Sequence, residues 1–522
     1  MASDQLEKNT RTGALLTLAS RVTGVIRDGA ISRVFGTSVF ASAFYFAFLI
    51  PNLFRRLFGE GALAAAFLPA YSKLHYKDPE LAKAFATLTL SLLAVVLGSI
   101  VFVCELILIA ILSMQDTPSN SLQLAMIMLP YMPLVCIVAI LSAMLHVHNR
   151  FGPPAAAPII LNGAMILAIT CLGSAFQDQM DHIKIIGVSV VIAGVIQIGW
   201  TLFSLRSIGW YSGKVNTAYF ELKSLISRTI PMIIGLGTLQ INTLLDGIIA
   251  SWATIFGPTV AGYEYPLNEG AMSALSFGQR LYQFPLGVFG VAIAAAIYPL
   301  LAKQFKHQKS FANTLRRGLR FTVFIGLPAS AGLILVREPL IVAVFQGGEF
   351  TFADTVIVSS ILLGYAPAIW AYSMVQVLTK GFYAQNDTIT PVKVAIFCVV
   401  LNLLLNVTLI WTPLNISGLA WSTALCAVVQ VSVLMVLFSK RINQLIDSDV
   451  LRSWGKSALL TFLMIISISL CSNYTDLSSD STSSANAIKA ICILVPASVI
   501  FYFIGSILLN MPEFKWILGK NN

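Results

Sequence analysis

SRVTGVIRDGAISRVFG, residues 20–36, decides the fold. It sits in an apolar run from 13 to 35, long enough to cross a bilayer as a helix. Yet it carries Arg21, Arg27 and Asp28. A charged side chain near mid-bilayer costs about 2.5–3.5 kcal/mol on insertion scales, so several together require a wet cavity or a bound counter-charge. On a helix Ser20, Gly24 and Arg27 share one face, and Arg21 and Asp28 line the adjacent one. Arg27 and Asp28 lie roughly 20 Å beyond the start of the span. As sequence neighbours they are expected to point apart, each needing a partner elsewhere.

A second stretch, IPNLFRRLFGEGA (50–62), repeats the pattern. Pro51 removes a helical hydrogen bond, which predicts a kinked or broken span. Asn52, Arg56 and Glu60 follow at i, i+4 and i+8, on one stripe of a regular helix. As the chain runs back, Arg55 and Arg56 are expected to return to about the depth of Arg21. Arg280, in SFGQRLYQFP (276–285), is another arginine inside an apolar span and precedes Pro285.

Five arginines, Arg21, Arg27, Arg55, Arg56 and Arg280, thus face two acids, Asp28 and Glu60. The positive surplus suits a dianion such as a pyrophosphate, because the guanidinium fork matches phosphate oxygens. The alternative is structural: Arg55 and Arg56 as anchors at the cytoplasmic membrane face, and Arg21 paired with Asp28 or Glu60.

The whole chain agrees with a membrane reading. It has 522 residues, 57% hydrophobic and 11% charged, with a mean hydropathy of +0.82. That composition predicts an all-α polytopic membrane protein, and apolar windows place about fourteen transmembrane helices. The apolar runs are too long for the short alternating strands of a β-barrel. No cleavable signal peptide is expected, since Arg21 and Arg27 interrupt the first apolar run. Seven cysteines stand singly in apolar stretches, without a CxxC or Cys/His pair.

The net charge of +10 does not point to nucleic acid. Lysines and arginines gather in alternate loops, such as Lys303, Lys306, Lys309, Arg316, Arg317 and Arg320, while acids such as Asp178, Asp181, Glu264 and Glu269 gather in the others. The positive-inside rule then places the basic loops and both termini in the cytoplasm.

Two echoes predict an internal duplication. GALAAAFLPAYSK (61–73) matches VAIAAAIYPLLAK (291–303). HNRFGPPAAAPIILN (148–162) matches YAQNDTITPVKVAIFCVVLN (383–402), each with a polar turn, a proline and a closing asparagine. The expected organisation is an N-terminal lobe at 1–207, an interfacial linker at 208–222, a C-terminal lobe at 223–440, and two appended helices within 441–522.

A smaller constellation lies in the second half. Asp246 is an acid deep in an apolar span, Asn402 and Asn406 are four apart, and Thr423 lies one span later. One carboxylate with amide and hydroxyl oxygens suits Na⁺ better than Ca²⁺; equally, such asparagines hydrogen-bond between membrane helices. There is no GxxxxGK[ST], no HExxH and no nucleophile elbow, so ATPase and hydrolase chemistry is not expected.

SRVTGVIRD, PNLFRRLFGEGA, NRFGPPAAAP, QRLYQFPLGVFGVA, FQGGEFT (345–351) and GFYAQNDTITPVK (381–393) together resemble the MurJ (MviN) family of the multidrug/oligosaccharidyl-lipid/polysaccharide exporter superfamily, from about residue 10 to 440. The resemblance implies a two-lobed, alternating-access flippase. It would move lipid II, the undecaprenyl-pyrophosphate-linked peptidoglycan precursor, from the inner to the outer leaflet of the bacterial cytoplasmic membrane. It places the family's cavity residues on Ser20, Arg21, Arg27, Asp28, Asn52, Arg55, Arg56, Glu60 and Arg280. It places a Na⁺ set on Asp246, Asn402, Asn406 and Thr423, with a carbonyl near Leu419, and a lipid-tail groove on the appended helices. Coupling to Na⁺ or to the membrane potential, action as a monomer, and contact with membrane lipids and cell-wall synthesis proteins are further expectations. Some positions depart from the family pattern: Ser42, Gln279 and Gln283 stand where acids are common, and Asn406 where an aspartate occurs. The rival readings are an exporter of another lipid-linked oligosaccharide, an integral-membrane glycosyltransferase and a nontransporting scaffold.

Overall fold

A long apolar run inside a bilayer can satisfy its own N–H and C=O groups only as a helix. The computed structural model is built of helices accordingly, and describes residues 2–59, 61–173, 178–214, 218–442, 444–474 and 483–517. Among these, eleven helical segments are long and apolar enough to cross a membrane, from Pro79–Ser113 to Ser484–Leu508. The expected fourteen therefore exceeds what length and apolarity alone support. One long helix outside the eleven, Ala2–Phe35, is the one that carries Arg21, Arg27 and Asp28.

The chain divides into two compact units, Met1–Ser273 and Ala274–Asn522. The first contains α1 (Ala2–Phe35), α2 (Val39–Phe54), a π-helical turn (Arg55–Gly59), α3 (Ala62–Lys77), α4 (Pro79–Ser113), α5 (Asn120–Met128) and α6 (Tyr131–Val147). It continues with α7 (Gly152–Thr170), α8 (Gln179–Arg206), α9 (Tyr219–Ala250), α10 (Trp252–Ile255) and a two-stranded antiparallel hairpin, β1 (Thr259–Val260) with β2 (Tyr263–Glu264). In this unit α1 packs on α7, α2 on α5, and α3 on α4, α6 and α9.

The second unit takes up most of α11 (Ala271–Pro285), then a second π-helical turn (Leu286–Gly290), α12 (Val291–Gln304), α13 (Gln308–Leu335), α14 (Arg337–Val344) and α15 (Phe352–Tyr365). It ends with α16 (Ile369–Ala384), α17 (Ile389–Leu409), α18 (Ser417–Ser439), α19 (Ser448–Tyr474), α20 (Ser484–Leu508) and α21 (Pro512–Ile517). Helix α13 is its hub and packs on α12, α16 and α19. Leu315, Leu319, Val377, Phe382, Leu434 and Phe438 form the buried centre. A second cluster, with Phe324, Leu460, Met464, Leu494 and Tyr502, joins α13 to α19 and α20. Gly326 lets α13 approach α16 closely: a Cβ there would stand 2.7 Å from the Trp370 Cα.

The two sequence echoes coincide with two matched local structures. Both Ala-rich stretches lie just beyond a π-helical turn ending in Phe-Gly, RRLFG at 55–59 and LGVFG at 286–290. Both polar turns are built on an asparagine at positive φ, Asn149 (58°) and Asn386 (61°). The next residue's N–H returns to a carbonyl five residues back, Arg150 to Leu145 at 2.8 Å and Asp387 to Phe382 at 3.0 Å. Asparagine tolerates this left-handed geometry better than other residues with a Cβ.

Candidate functional site

Helix α1 turns its Gly24, Arg27, Asp28 and Ile31 positions inward and leaves Arg21, Val22, Val25 and Ile26 exposed. Arg27 and Asp28 are 7% and 3% exposed, the depth at which a charge needs a partner. The structure corrects the expectation that they point apart. Arg27 donates from Nε (2.9 Å) and Nη2 (2.5 Å) to the Asp28 Oδ1. The arginine stem is long enough to curl around the helix and meet its neighbour, which a count of helical angles at Cβ does not foresee.

The third contact of Arg27 crosses to another helix. Nη1 donates to Oδ1 of Asn162 on α7 at 3.0 Å. The Asn162 amide in turn donates to the Ser20 carbonyl (3.2 Å) and the Thr23 hydroxyl oxygen (3.1 Å). Ser20 thus enters through its backbone. The Tyr45 hydroxyl reaches Asp28 Oδ1 at 3.5 Å, and the guanidinium lies 5.7 Å from the Phe48 ring centroid. In the sequence Asn162 stands out only as the end of a repeat; the signal for its role is an amide in an otherwise apolar helix.

The second stretch departs further. Helix α2 runs through Pro51 to Phe54, and the irregularity comes after it, as the π turn Arg55–Gly59. The i→i+5 bonds of such a turn change the angular spacing after Asn52, on which the predicted continuation through Arg56 relied. Asn52 instead accepts from Arg55 Nε at 3.2 Å. Arg55 is half-buried and Arg56 exposed, while Glu60 lies outside the described residues. Both arginines belong to a turn that packs against α6, α3 and α9.

In the second unit Arg280 is half-buried on α11, one turn and a half before the other π turn. Its neighbour Gln279 donates to the Tyr365 hydroxyl at 3.1 Å, and Tyr282 stacks on Tyr365 at 4.3 Å. Ser42, in the first unit, accepts from the Ser273 N–H at 3.1 Å. At these two positions, where the resemblance led to an expectation of acids, the chain makes neutral hydrogen bonds.

The residues expected to hold Na⁺ fall in both units. Asp246, buried in α9 of the first unit, accepts from Asn242 at 3.4 Å. In the second unit Asn406 donates to Asn402 Oδ1 (2.9 Å), Asn402 donates to the Thr423 and Ser422 hydroxyls (both 3.3 Å), and Ser422 donates to Asn406 Oδ1. Ser422 and Thr423 also donate to the Leu419 carbonyl, each at 2.9 Å. These neutral oxygens fit Na⁺ in type, and they already accept from one another. Among the described residues no group of three His, Cys, Asp or Glu side chains could hold a metal.

Comparison with known proteins fits this geometry. A family model described as lipid II flippase MurJ matches residues 31–484. The chain belongs to the MurJ family. As a MurJ-family member it is a lipid II flippase, a multi-pass membrane transporter rather than an enzyme. Similar relatives are the probable lipid II flippase MurJ of Vibrio cholerae serotype O1, 30% identical over 462 residues (83% of this chain, 82% of that protein), and that of Rhizobium tropici, 32% identical over 438 residues (81% and 79%). Among solved structures, a lipid II flippase MurJ in an inward closed conformation matches with a TM-score of 0.75 at 22% identity, covering 95% of this chain and 99% of that one. An inward-facing MATE family transporter of the MOP superfamily matches at 0.65 and 12% identity, covering 83% and 98%. These two establish the shared fold.

Proposed function

We propose that Arg27, held between Asp28 and Asn162, is the residue on which the flippase exchanges its own carboxylate for the substrate's pyrophosphate. Three of the five guanidinium N–H groups are committed to those two partners. Asp28 supplies one negative charge, and a pyrophosphate carries more, with oxygens spaced for bidentate pairing. Substrate therefore displaces Asp28, which turns to the Tyr45 hydroxyl; release restores the Arg27–Asp28 pair. Arg21, Arg55 and Arg56 add positive charge in the same unit, and Ser20, Asn52 and Glu60 are the polar residues of the same two stretches of sequence. Arg280 is assigned the same class of ligand.

Transport proceeds by alternating access in the cytoplasmic membrane, inner to outer leaflet, with both termini in the cytoplasm. The alternation of basic and acidic loops supports that orientation. The matched π turns and asparagine turns support two repeats, 1–207 and 223–440, joined by 208–222 and extended by 441–522. The protein is read as a monomer in contact with membrane lipids and cell-wall synthesis proteins. Direction comes from Na⁺ or the membrane potential, where one charge through 100 mV is worth about 2.3 kcal/mol. Loss of Na⁺ dependence in Asp246→Asn would separate the two.

The deciding experiment measures lipid II accessibility at the outer leaflet of cells depleted of their own flippase. Wild type restores it and Arg27→Ala, at matched membrane levels, does not. Full restoration by Arg27→Ala would remove the arginine from the mechanism.

A further inference from the structure

The C-terminal ends of α3 and α6 bring two histidines together. His148 closes α6 just before the turn built on Asn149, and His75 lies in the last turn of α3. Their ring centroids are 4.5 Å apart, edge to face at 68°. The Tyr71 hydroxyl and His148 Nε2 share a hydrogen bond of 3.2 Å, which holds the second ring in place. Tyr71 is buried and both histidines are half-buried, so water can protonate them. None of the three belongs to the transport residues described above.

The neighbours of the pair are aromatic or basic, or are acids already engaged elsewhere. On α3 the rings of Tyr71 and Tyr76 lie 6.1 and 5.5 Å from His75, and Lys73 and Lys77 are exposed. On α6 and its turn, His146 stacks on Phe151 at 5.3 Å, and Arg150 is exposed. At the start of α4, Asp78 accepts from the Leu81 N–H (3.0 Å) and Glu80 from Lys83 Nζ (2.8 Å). Helices α8 and α9, which pack on α6 and α3, carry exposed Arg206, Lys223 and Arg228 and half-buried Glu221. Among the described residues no carboxylate is ion-paired to either imidazole. Burial holds His148 below the ordinary histidine value, and the charge of His75 pushes the same way. Two neutral imidazoles, or one charged and one neutral, suit an edge-to-face pair; two charges at this spacing repel.

We infer that His75 and His148 form a proton-sensing contact: acidification charges both rings and parts the end of α3 from the end of α6. Both helices also pack on the π turn that carries Arg55 and Arg56, so the parting slackens that turn and slows flipping. On the orientation proposed above the pair faces the cytoplasm. The effect on transport rests on the role proposed above for those arginines; the coupling between the two rings does not. A base that binds protons less readily when folded is charged first in the unfolded chain. The contact is therefore fully stabilising above about pH 6.5 and is lost as pH falls below that value.

Nuclear magnetic resonance of the full-length protein in nanodiscs, with carbon-13 at the histidine Cε1, reads the titration of each ring. His75→Gln removes the neighbouring charge and should raise the proton affinity of His148 about tenfold, the effect of one charge at this distance in a partly wet site. An unchanged His148 titration overturns the proposal. Flipping is read as lipid II accessibility at the outer leaflet while a permeant weak acid lowers cytoplasmic pH from about 7.5 to about 5.5, across the range in which histidine titrates. Wild type slows, whereas His148→Gln, equal to wild type at the higher pH, keeps its rate. Equal slowing of the two proteins, or no slowing of either, overturns the sensor. The arginine reading stands or falls separately, on Arg27→Ala at neutral pH.

Discussion

Asn162 receives Arg27 on its carbonyl oxygen and holds the preceding turn of α1 with its amide. One side chain from α7 thereby fixes both the direction of the buried guanidinium and the backbone that carries it. Replacement by leucine removes both functions at nearly constant volume. The expected result is a stability loss of about 1–3 kcal/mol, read as a lower melting temperature in detergent, with flippase complementation falling toward that of Arg27→Ala. Full complementation by Asn162→Leu would show that α1 positions Arg27 unaided.

Asp28→Asn probes the exchange itself. Without the carboxylate, a buried arginine is left uncompensated, which costs about 3–5 kcal/mol in the empty protein. An undecaprenyl-pyrophosphate analogue should then stabilise the variant more than wild type, while turnover falls because release no longer restores the pair. Ligand-induced melting shifts of equal size in the two proteins would speak against competition.

Asp387 tests the turn between α16 and α17. Burial pushes its carboxyl up, but bonds from the Thr390 hydroxyl and N–H and the Arg441 guanidinium prevail and hold it at about 2. A depressed acid stabilises the fold above its unfolded pKa and loses that contribution as pH falls through the folded value. The stability gap between wild type and Asp387→Asn should be constant from neutral pH to about pH 5, shrink as pH falls further, and vanish only below about pH 2. A gap already closed at pH 4 would mean the carboxylate is not held.

Gly326→Ala places a methyl group against the Trp370 backbone, which cannot move aside as a side chain could. Overpacking of this kind costs about 1–3 kcal/mol. The melting temperature should drop, and Gly332→Ala, where a Cβ meets nothing within 4 Å, should leave it unchanged.

Composition and charge placement made the helical membrane fold legible, since 11% charged residues leave few other ways to bury a backbone in lipid. The need of Arg27 and Asp28 for polar partners was legible too, because their cost in an apolar span is large. Their mutual pairing was not: it depends on the path of a flexible stem. The π turns were invisible for a different reason. They differ from α-helix by one hydrogen-bond register, which leaves no hydrophobic periodicity to read, and the first changes the angular spacing on which the stripe through Asn52 and Arg56 relied. Ser422 was missed because a serine in an apolar helix commonly bonds only to its own backbone, whereas here it also donates to Asn406.

The two π turns also carry a chronology. A π turn is the form a helix takes when a residue is inserted without unwinding the turns beyond it. One lies just before the Ala-rich stretch in each half, so on a duplication the insertion was already present in the half-length ancestor and was inherited twice. The first half then has one residue more than the second between its Phe-Gly and its Ala-Ala-Ala, at Glu60–Gly61. On that duplication the residue was gained or lost after the halves parted, and the first stretch carries a glutamate in its sequence for which the second has no matching position.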